Sequence, residues 1–117
     1  MNTRVLAFFI ALLSAMAALG QADRGTITGT IVDPAGAAVA NVPLQIRNLE
    51  TGTLYQVASS ETGNYTVGQL PAGAYELTVT AAGFKMYKRG PLTVQVAQAI
   101  RVDVPLEIGS ATESISP

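Results

Sequence analysis

The chain has 117 residues and a formal net charge of −1, and it contains no cysteine, histidine or tryptophan. Without cysteine there are no disulfides, and without histidine as well the usual zinc centres and any Ser-His or Cys-His nucleophile pair are excluded. Only seven basic residues are present and they form no stripe, so a nucleic acid is not an expected partner.

Arg4 precedes an apolar run from Val5 to Leu19 that ends in Gly20-Gln21-Ala22. A basic start, an apolar middle and small residues at the third and first positions before a cut are the pattern of a secretory signal peptide, with Ala22 as the last residue removed. The run is shorter than the roughly 20 residues that span a bilayer. Export with cleavage of this signal-peptide helix is therefore the expectation, with no membrane span afterwards. Removing 22 of the 117 residues leaves 95, one small domain that carries six basic and eight acidic residues. A chain of that size buries about 60–65% of its unfolded surface. Its stability has to come from the core and the strand ladders.

No segment beyond the leader sustains a 3.6-residue apolar period, whereas several alternate, which predicts an all-β fold. A first strand puts Ile27, Gly29 and Ile31 on one face and Thr26, Thr28 and Thr30 on the other, the β-branched threonines suiting a solvated face. Asp33-Pro34-Ala35-Gly36 then forms a turn, with proline where φ is pre-set and glycine where φ can be positive. The second strand places Val42, Leu44 and Ile46 inward and Gln45 and Arg47 outward. Pro43 has no amide donor, so this strand should start late or lie at an edge.

Thr51-Gly52 leads into a third strand, Thr53 to Ser59, whose facing stays open because Leu54, Tyr55 and Val57 do not alternate. After the turn Glu61-Thr62-Gly63-Asn64, Tyr65 and Val67 face inward, and Leu70-Pro71-Ala72-Gly73 reverses the chain. The next strand has the strictest pattern: Tyr75, Leu77 and Val79 on one face, Glu76, Thr78 and Thr80 on the other. Gly83 ends it and Phe84 folds over the core edge. Leu92, Val94 and Val96 form a sixth strand. A seventh holds Ile100, Val102, Val104 and Leu106, with Arg101 and Asp103 exposed. Seven short strands at near-regular spacing predict a two-sheet, seven-stranded Greek-key β-sandwich over residues 23–108.

The succession GTITGTIVDPAGAAVANVPLQIRN, TG, ETGNY and LPAGAYELTVTAAGF resembles the carboxypeptidase regulatory-like domain, and the resemblance covers about Thr26 to Leu106. It implies a prealbumin-like or transthyretin-like sandwich, Ig-like in general form and grouped with carbohydrate-binding-like and starch-binding-like folds. The same pattern is similar to the B-type repeats of bacterial collagen adhesins. Many members have aspartate in the turn before the inward tyrosine, where this chain has Glu61-Thr62, and proline before the second strand's valine, where Ala40-Asn41 stands. The residues Gly36, Gly63, Tyr65, Pro71, Gly73, Tyr75 and Gly83 are expected to determine the fold. The glycines and Pro71 shape turns, and the two tyrosines fill the core.

No enzymatic activity, catalytic residue, metal or cofactor is expected. The carboxylates Asp33, Glu50, Glu61, Glu76, Asp103 and Glu107 fall on turns and outward positions, scattered rather than paired as a glycosidase needs. No run of acidic residues has calcium-ligand spacing. Asn64-Tyr65-Thr66 matches a glycosylation sequon that an asparagine in a turn explains equally well. The candidate ligand surface is Tyr55 and Tyr87, the two tyrosines not committed inward, together with the basic cluster Lys85, Lys88 and Arg89. Their alternative roles are edge packing for the rings and a gatekeeping charge on an edge segment for the cations.

Residues 109–117, GSATESISP, are small and polar and are expected to be a flexible linker. In proteins resembling this one, the same domain and linker precede the plug and barrel of a TonB-dependent outer-membrane receptor. The expected role is thus an exported structural or protein-interaction module, periplasmic, outer-membrane-associated or secreted, and monomeric by default. The alternative is a carbohydrate-binding module, so the expected partner is an envelope protein or a glycan.

Overall fold

The computed structural model describes residues 24–110 and 114–115. The expected signal peptide lies outside the described residues. Alternation builds the sheets. In β1 (Arg24–Val32) Gly25, Ile27, Gly29 and Ile31 are buried while the threonines between them stay half-exposed. β2 (Pro43–Asn48) buries Leu44 and Ile46, β4 (Asn64–Pro71) buries Tyr65, Val67 and Leu70, and β5 (Gly73–Val79) buries Tyr75, Leu77 and Val79. The remaining strands are β3 (Leu54–Ala58), β6 (Met86–Val94), β7 (Ala99–Arg101), β8 (Val104–Pro105) and β9 (Ser114–Ile115).

Two sheets form a sandwich. One has the order β4-β1-β7, with β8 also on β1; the other has the order β3-β2-β5-β6-β9. β1 runs antiparallel to β4 and parallel to both β7 and β8, and β2 sits between β3 and β5, antiparallel to each. The inner faces meet in one core, with Ile27, Ile31, Tyr65, Val102 and Val104 from the first sheet and its connections. Leu44, Ile46, Tyr75, Leu77, Tyr87 and Val94 come from the second. Burial of each large apolar side chain contributes about 1.5–3 kcal/mol. The exposed ion pairs Lys85–Glu107 at 3.7 Å and Arg101–Asp103 at 3.1 Å belong to a class worth about 0–1 kcal/mol each. The core, not charge, holds the fold.

Several sequence expectations are corrected. The strand elements number nine among the described residues, not seven. The expected seventh strand is two short pieces, β7 and β8, because the chain leaves the ladder at Val102-Asp103 between them. The sixth strand starts six residues before Leu92, at Met86, and ends at Val94. Val96, expected within the sixth strand, lies beyond it and is 55% exposed, because Gln95–Gln98 is a turn in which Gln98 N–H donates to the Gln95 carbonyl and Ala97 has φ 56°. Of the two places expected for Pro43, β2 takes the late start, beginning at Pro43 after Val42, and not the edge, since β2 is an interior strand. Tyr55 and Val57 settle the facing of β3 by turning toward the core, leaving Leu54, Gln56 and Ala58 exposed. Within the expected linker, Ser114 and Ile115 pair in parallel with Met86 and Tyr87, and Ile115 packs against the core.

Candidate functional site

The residues expected to set the fold have the following surroundings. Gly63 has φ 77°, and a Cβ there would stand 2.8 Å from the Ile31 carbonyl oxygen, so neither the conformation nor the space admits another residue. Gly36 and Gly83 occupy turns at positive φ, and Gly73 opens β5. The Tyr65 hydroxyl donates to the Val102 carbonyl, tying β4 to the break between β7 and β8. The Tyr75 hydroxyl donates to the carbonyl of Pro71. Burial raises the pKa of both tyrosines, with the nearby Asp103 charge adding to the effect at Tyr65. Both rings are buried in the core.

The candidate ligand residues are not brought together. Tyr87 faces the core beside Val79 and is 3% exposed, which corrects its expected place on a ligand surface. The signal was hidden because the run around it, KMYKRG, has no alternation. Tyr55 is half-buried on β3, its ring meeting Tyr75 edge-on at 6.3 Å between centroids. β2 and β5 lie between β3 and β6, so the two tyrosines are separated by three strand spacings, roughly 14 Å. Tyr55 and Tyr87 thus form no exposed coplanar pair for a sugar to stack upon. Lys88 and Arg89 are exposed on β6, opposite Thr78 and Leu77, while Lys85 pairs with Glu107.

What the registers do assemble is a polar row across the outer face of the five-stranded sheet. Gln45 on β2 lies opposite Gln56 on β3 and Thr78 on β5, and Thr78 lies opposite Lys88 on β6. A shallow groove of about 210 Å³ lies along the Gln56, Gln45 and Thr78 part of this row and is lined by Pro43, Leu44, Gln45, Gln56, Val57, Thr78 and Thr80. Its amides and hydroxyls can donate and accept. The outward phase of these residues was readable in sequence, but their adjacency depended on which strands flank β2.

The outer face of the other sheet is polar too, yet its groups are committed to one another. Thr30 Oγ1 donates to Asn64 Oδ1 at 2.9 Å and accepts from Arg101 at 3.1 Å, and Asp103 accepts from the Thr30 backbone amide at 3.0 Å. Asn64 in turn donates to Thr62 at 2.8 Å. Among the described residues no cluster of acidic side chains could hold a metal ion, and no helix is long and apolar enough to cross a membrane.

With this geometry in place, comparison with known proteins assigns the family, whose model, the carboxypeptidase regulatory-like domain, matches residues 26–107. The chain belongs to this family. A TonB-dependent transporter, Oar of Myxococcus xanthus, is 32% identical over 96 residues, covering 81% of the chain. The chain spans 9% of that transporter's length. Among solved structures, the carboxypeptidase regulatory-like sandwich is similar to a minor pilin of Streptococcus agalactiae, at TM-score 0.60 and 13% identity over 76% of this chain and 46% of the pilin. It is also similar to a proposed carbohydrate-binding protein of Bacteroides uniformis, at TM-score 0.57 and 19% identity over 70% of this chain and 40% of that one. Identities this low show a shared fold.

One expectation is overturned by the same comparison. The 3-chlorocatechol 1,2-dioxygenase of Rhodococcus opacus shares the sandwich at TM-score 0.57 and 12% identity, over 75% of this chain and 61% of the enzyme. Two further dioxygenases of this kind share it at 7% and 12% identity. The architecture is therefore one that occurs in enzymes, and the flat expectation of no enzymatic activity does not stand. What the sequence excludes is narrower: chemistry that requires histidine or cysteine.

Proposed function

We propose that the chain is an exported module that works at the bacterial cell envelope as a structural or protein-interaction domain, in the manner of an N-terminal extension of a TonB-dependent receptor. The observation that carries this reading is the similarity to the Myxococcus xanthus transporter over most of the chain. The leader pattern from Arg4 to Ala22 supports it from the sequence side. Expression of the full chain in a bacterial host, followed by fractionation and mass measurement, tests it. A product beginning at Asp23 in the envelope or medium is expected. A product that stays in the cytoplasm with residues 1–22 attached overturns the reading.

A second reading, carbohydrate binding, is favoured by one feature: the neutral amide and hydroxyl row of Gln56, Gln45 and Thr78 along the groove. Such a row suits a polyhydroxylated ligand, although it lacks an aromatic platform. A glycan array probed with the purified chain decides the matter. Binding that Gln45→Ala weakens supports the reading, and an array with no signal removes it.

A further inference from the structure

The margins of the two sheets differ in how they are guarded against pairing with another strand. β6 carries Lys88, Arg89 and Pro91, and β9 covers its Met86-Tyr87 end. β4 is interrupted by a register shift in its pairing with β1, by Gln69 at φ 59° and by Pro71. β7 is three residues long and carries the exposed Arg101. These are the devices by which sheet edges avoid pairing with other chains: charge, proline, irregularity, brevity and cover. β3 has none of them. Its sequence is Leu54-Tyr55-Gln56-Val57-Ala58, with no charge, proline or glycine, and Leu54 is 50% exposed.

The hydrogen bonds flanking β3 define what its open edge offers. Asn48 N–H donates to the Thr53 carbonyl at 2.8 Å, and Ser59 N–H donates to the Val42 carbonyl at 2.9 Å. Odd-numbered residues of this segment therefore turn their backbone groups toward β2. Leu54, Gln56 and Ala58 aim their N–H and C=O groups at the open side.

That set is self-complementary in an antiparallel register centred on Gln56. Gln56 would meet Gln56 of a second copy, and Leu54 would meet Ala58, each as a hydrogen-bonded pair. Tyr55 would meet Val57 on the core-facing side. An amide ladder, an aliphatic pair and an aromatic with a β-branched residue are all favourable cross-strand neighbours, and no like charges oppose one another. We propose that β3 is a homotypic docking edge, through which two copies of this chain join their five-stranded sheets about a two-fold axis at Gln56. The interface is isologous, so it closes at the dimer and does not propagate. This inference stands on the edge itself and does not depend on the envelope role or on glycan binding.

Sedimentation equilibrium of the purified full chain is the first measurement, and a concentration-dependent monomer–dimer equilibrium is expected. Gln56→Lys places like charges across the axis and is expected to shift that equilibrium to monomer, while Thr93→Lys on β6 leaves it unchanged. Covalent capture gives the register. In a hydrogen-bonded antiparallel pair the Cα atoms lie about 5.5 Å apart, inside the usual span of a disulfide, about 4.4–6.8 Å. Because the native chain lacks cysteine, Gln56→Cys should form a dimer on mild oxidation much faster than Thr93→Cys does. A chain that stays monomeric at all concentrations overturns the proposal. So does equal cross-linking of the two cysteine variants, or a β3 edge that takes up strands of other proteins and not its own.

Discussion

Gly29 lies so close beneath the Val102 carbonyl that a Cβ added to it would stand 1.9 Å from that oxygen. The contact joins β1 to the break between β7 and β8, where Val102 N–H also donates to the Thr28 carbonyl at 2.8 Å. The two nearest atoms belong to the Val102 backbone, so moving the nearby Tyr65 ring would not relieve the clash. Gly29→Ala is expected to destabilise the domain by ~3 kcal/mol, at the upper end of the usual range for overpacking. Urea denaturation followed by tyrosine fluorescence measures it. A loss below ~1 kcal/mol would show that this end of the sheet can shift apart.

The same carbonyl accepts the Tyr65 hydroxyl, so Tyr65→Phe removes its buried partner. The cost at neutral pH is expected to be ~1–2 kcal/mol. The pH dependence gives a sharper test. Burial raises the folded-state pKa of Tyr65 above its ordinary value of 10.0, so the folded chain keeps the proton that the unfolded chain releases. Stability from this group is full below about pH 10 and falls as pH rises above it, toward the raised folded-state value. The difference in unfolding free energy between the unaltered chain and Tyr65→Phe should therefore narrow from pH 8 to about pH 11. A gap that stays constant across that window would mean the hydroxyl is not protonated and buried as described.

The tyrosines also show how far the sequence could be read. Tyr75, Leu77 and Val79 alternate without exception because β5 is an interior strand with neighbours on both sides and a covered inner face. Nothing but the inward phase suits their side chains. β3 gave no such pattern because it is an edge, where Leu54 can stay exposed at little cost. Tyr87 was misplaced for the opposite reason. It is buried singly, flanked by the half-exposed Met86 and the exposed Lys88, and one buried ring has no period. The polar row of Gln56, Gln45 and Thr78 needed the order β3-β2-β5, which is a long-range property of the sheet that no local pattern carries.

Ser59 and Asn48 are the buried polar side chains among the described residues, and they should differ in cost. Ser59 Oγ accepts from the Val42 amide at 2.9 Å, a buried bond, and donates to the Val39 carbonyl at 2.8 Å, a partly buried one. Ser59→Ala orphans a donor beside the buried Val42 and is expected to cost ~2–3 kcal/mol. Asn48 Oδ1 accepts from the amides of Glu50 and Thr51, at 2.8 and 3.0 Å, in a turn whose residues are exposed. Water can replace that partner, so Asn48→Ala should cost nearer ~1 kcal/mol. Paired denaturation curves test the order. If Asn48→Ala proves the more damaging, the turn rather than the buried hydroxyl sets local stability.

Ile115 distinguishes a linker from a strand. Composition marks residues 109–117 as a segment with no apolar face to bury, and a substitution within such a segment should be silent. In the structure β9 continues the five-stranded sheet beyond β6, and Ile115 lies half-buried against the core. Truncating that side chain removes about three methyl or methylene groups, each worth ~0.8 kcal/mol when fully buried, and roughly half of that at this exposure. Ile115→Ala should therefore lower stability by ~1 kcal/mol, with Ser114→Ala, on an exposed neighbour, as the control. Hydrogen exchange at the Met86 and Tyr87 amides provides the local readout. Faster exchange there in Ile115→Ala would show that β9 shields this end of β6, whereas unchanged stability and exchange would return the segment to the role of a tether.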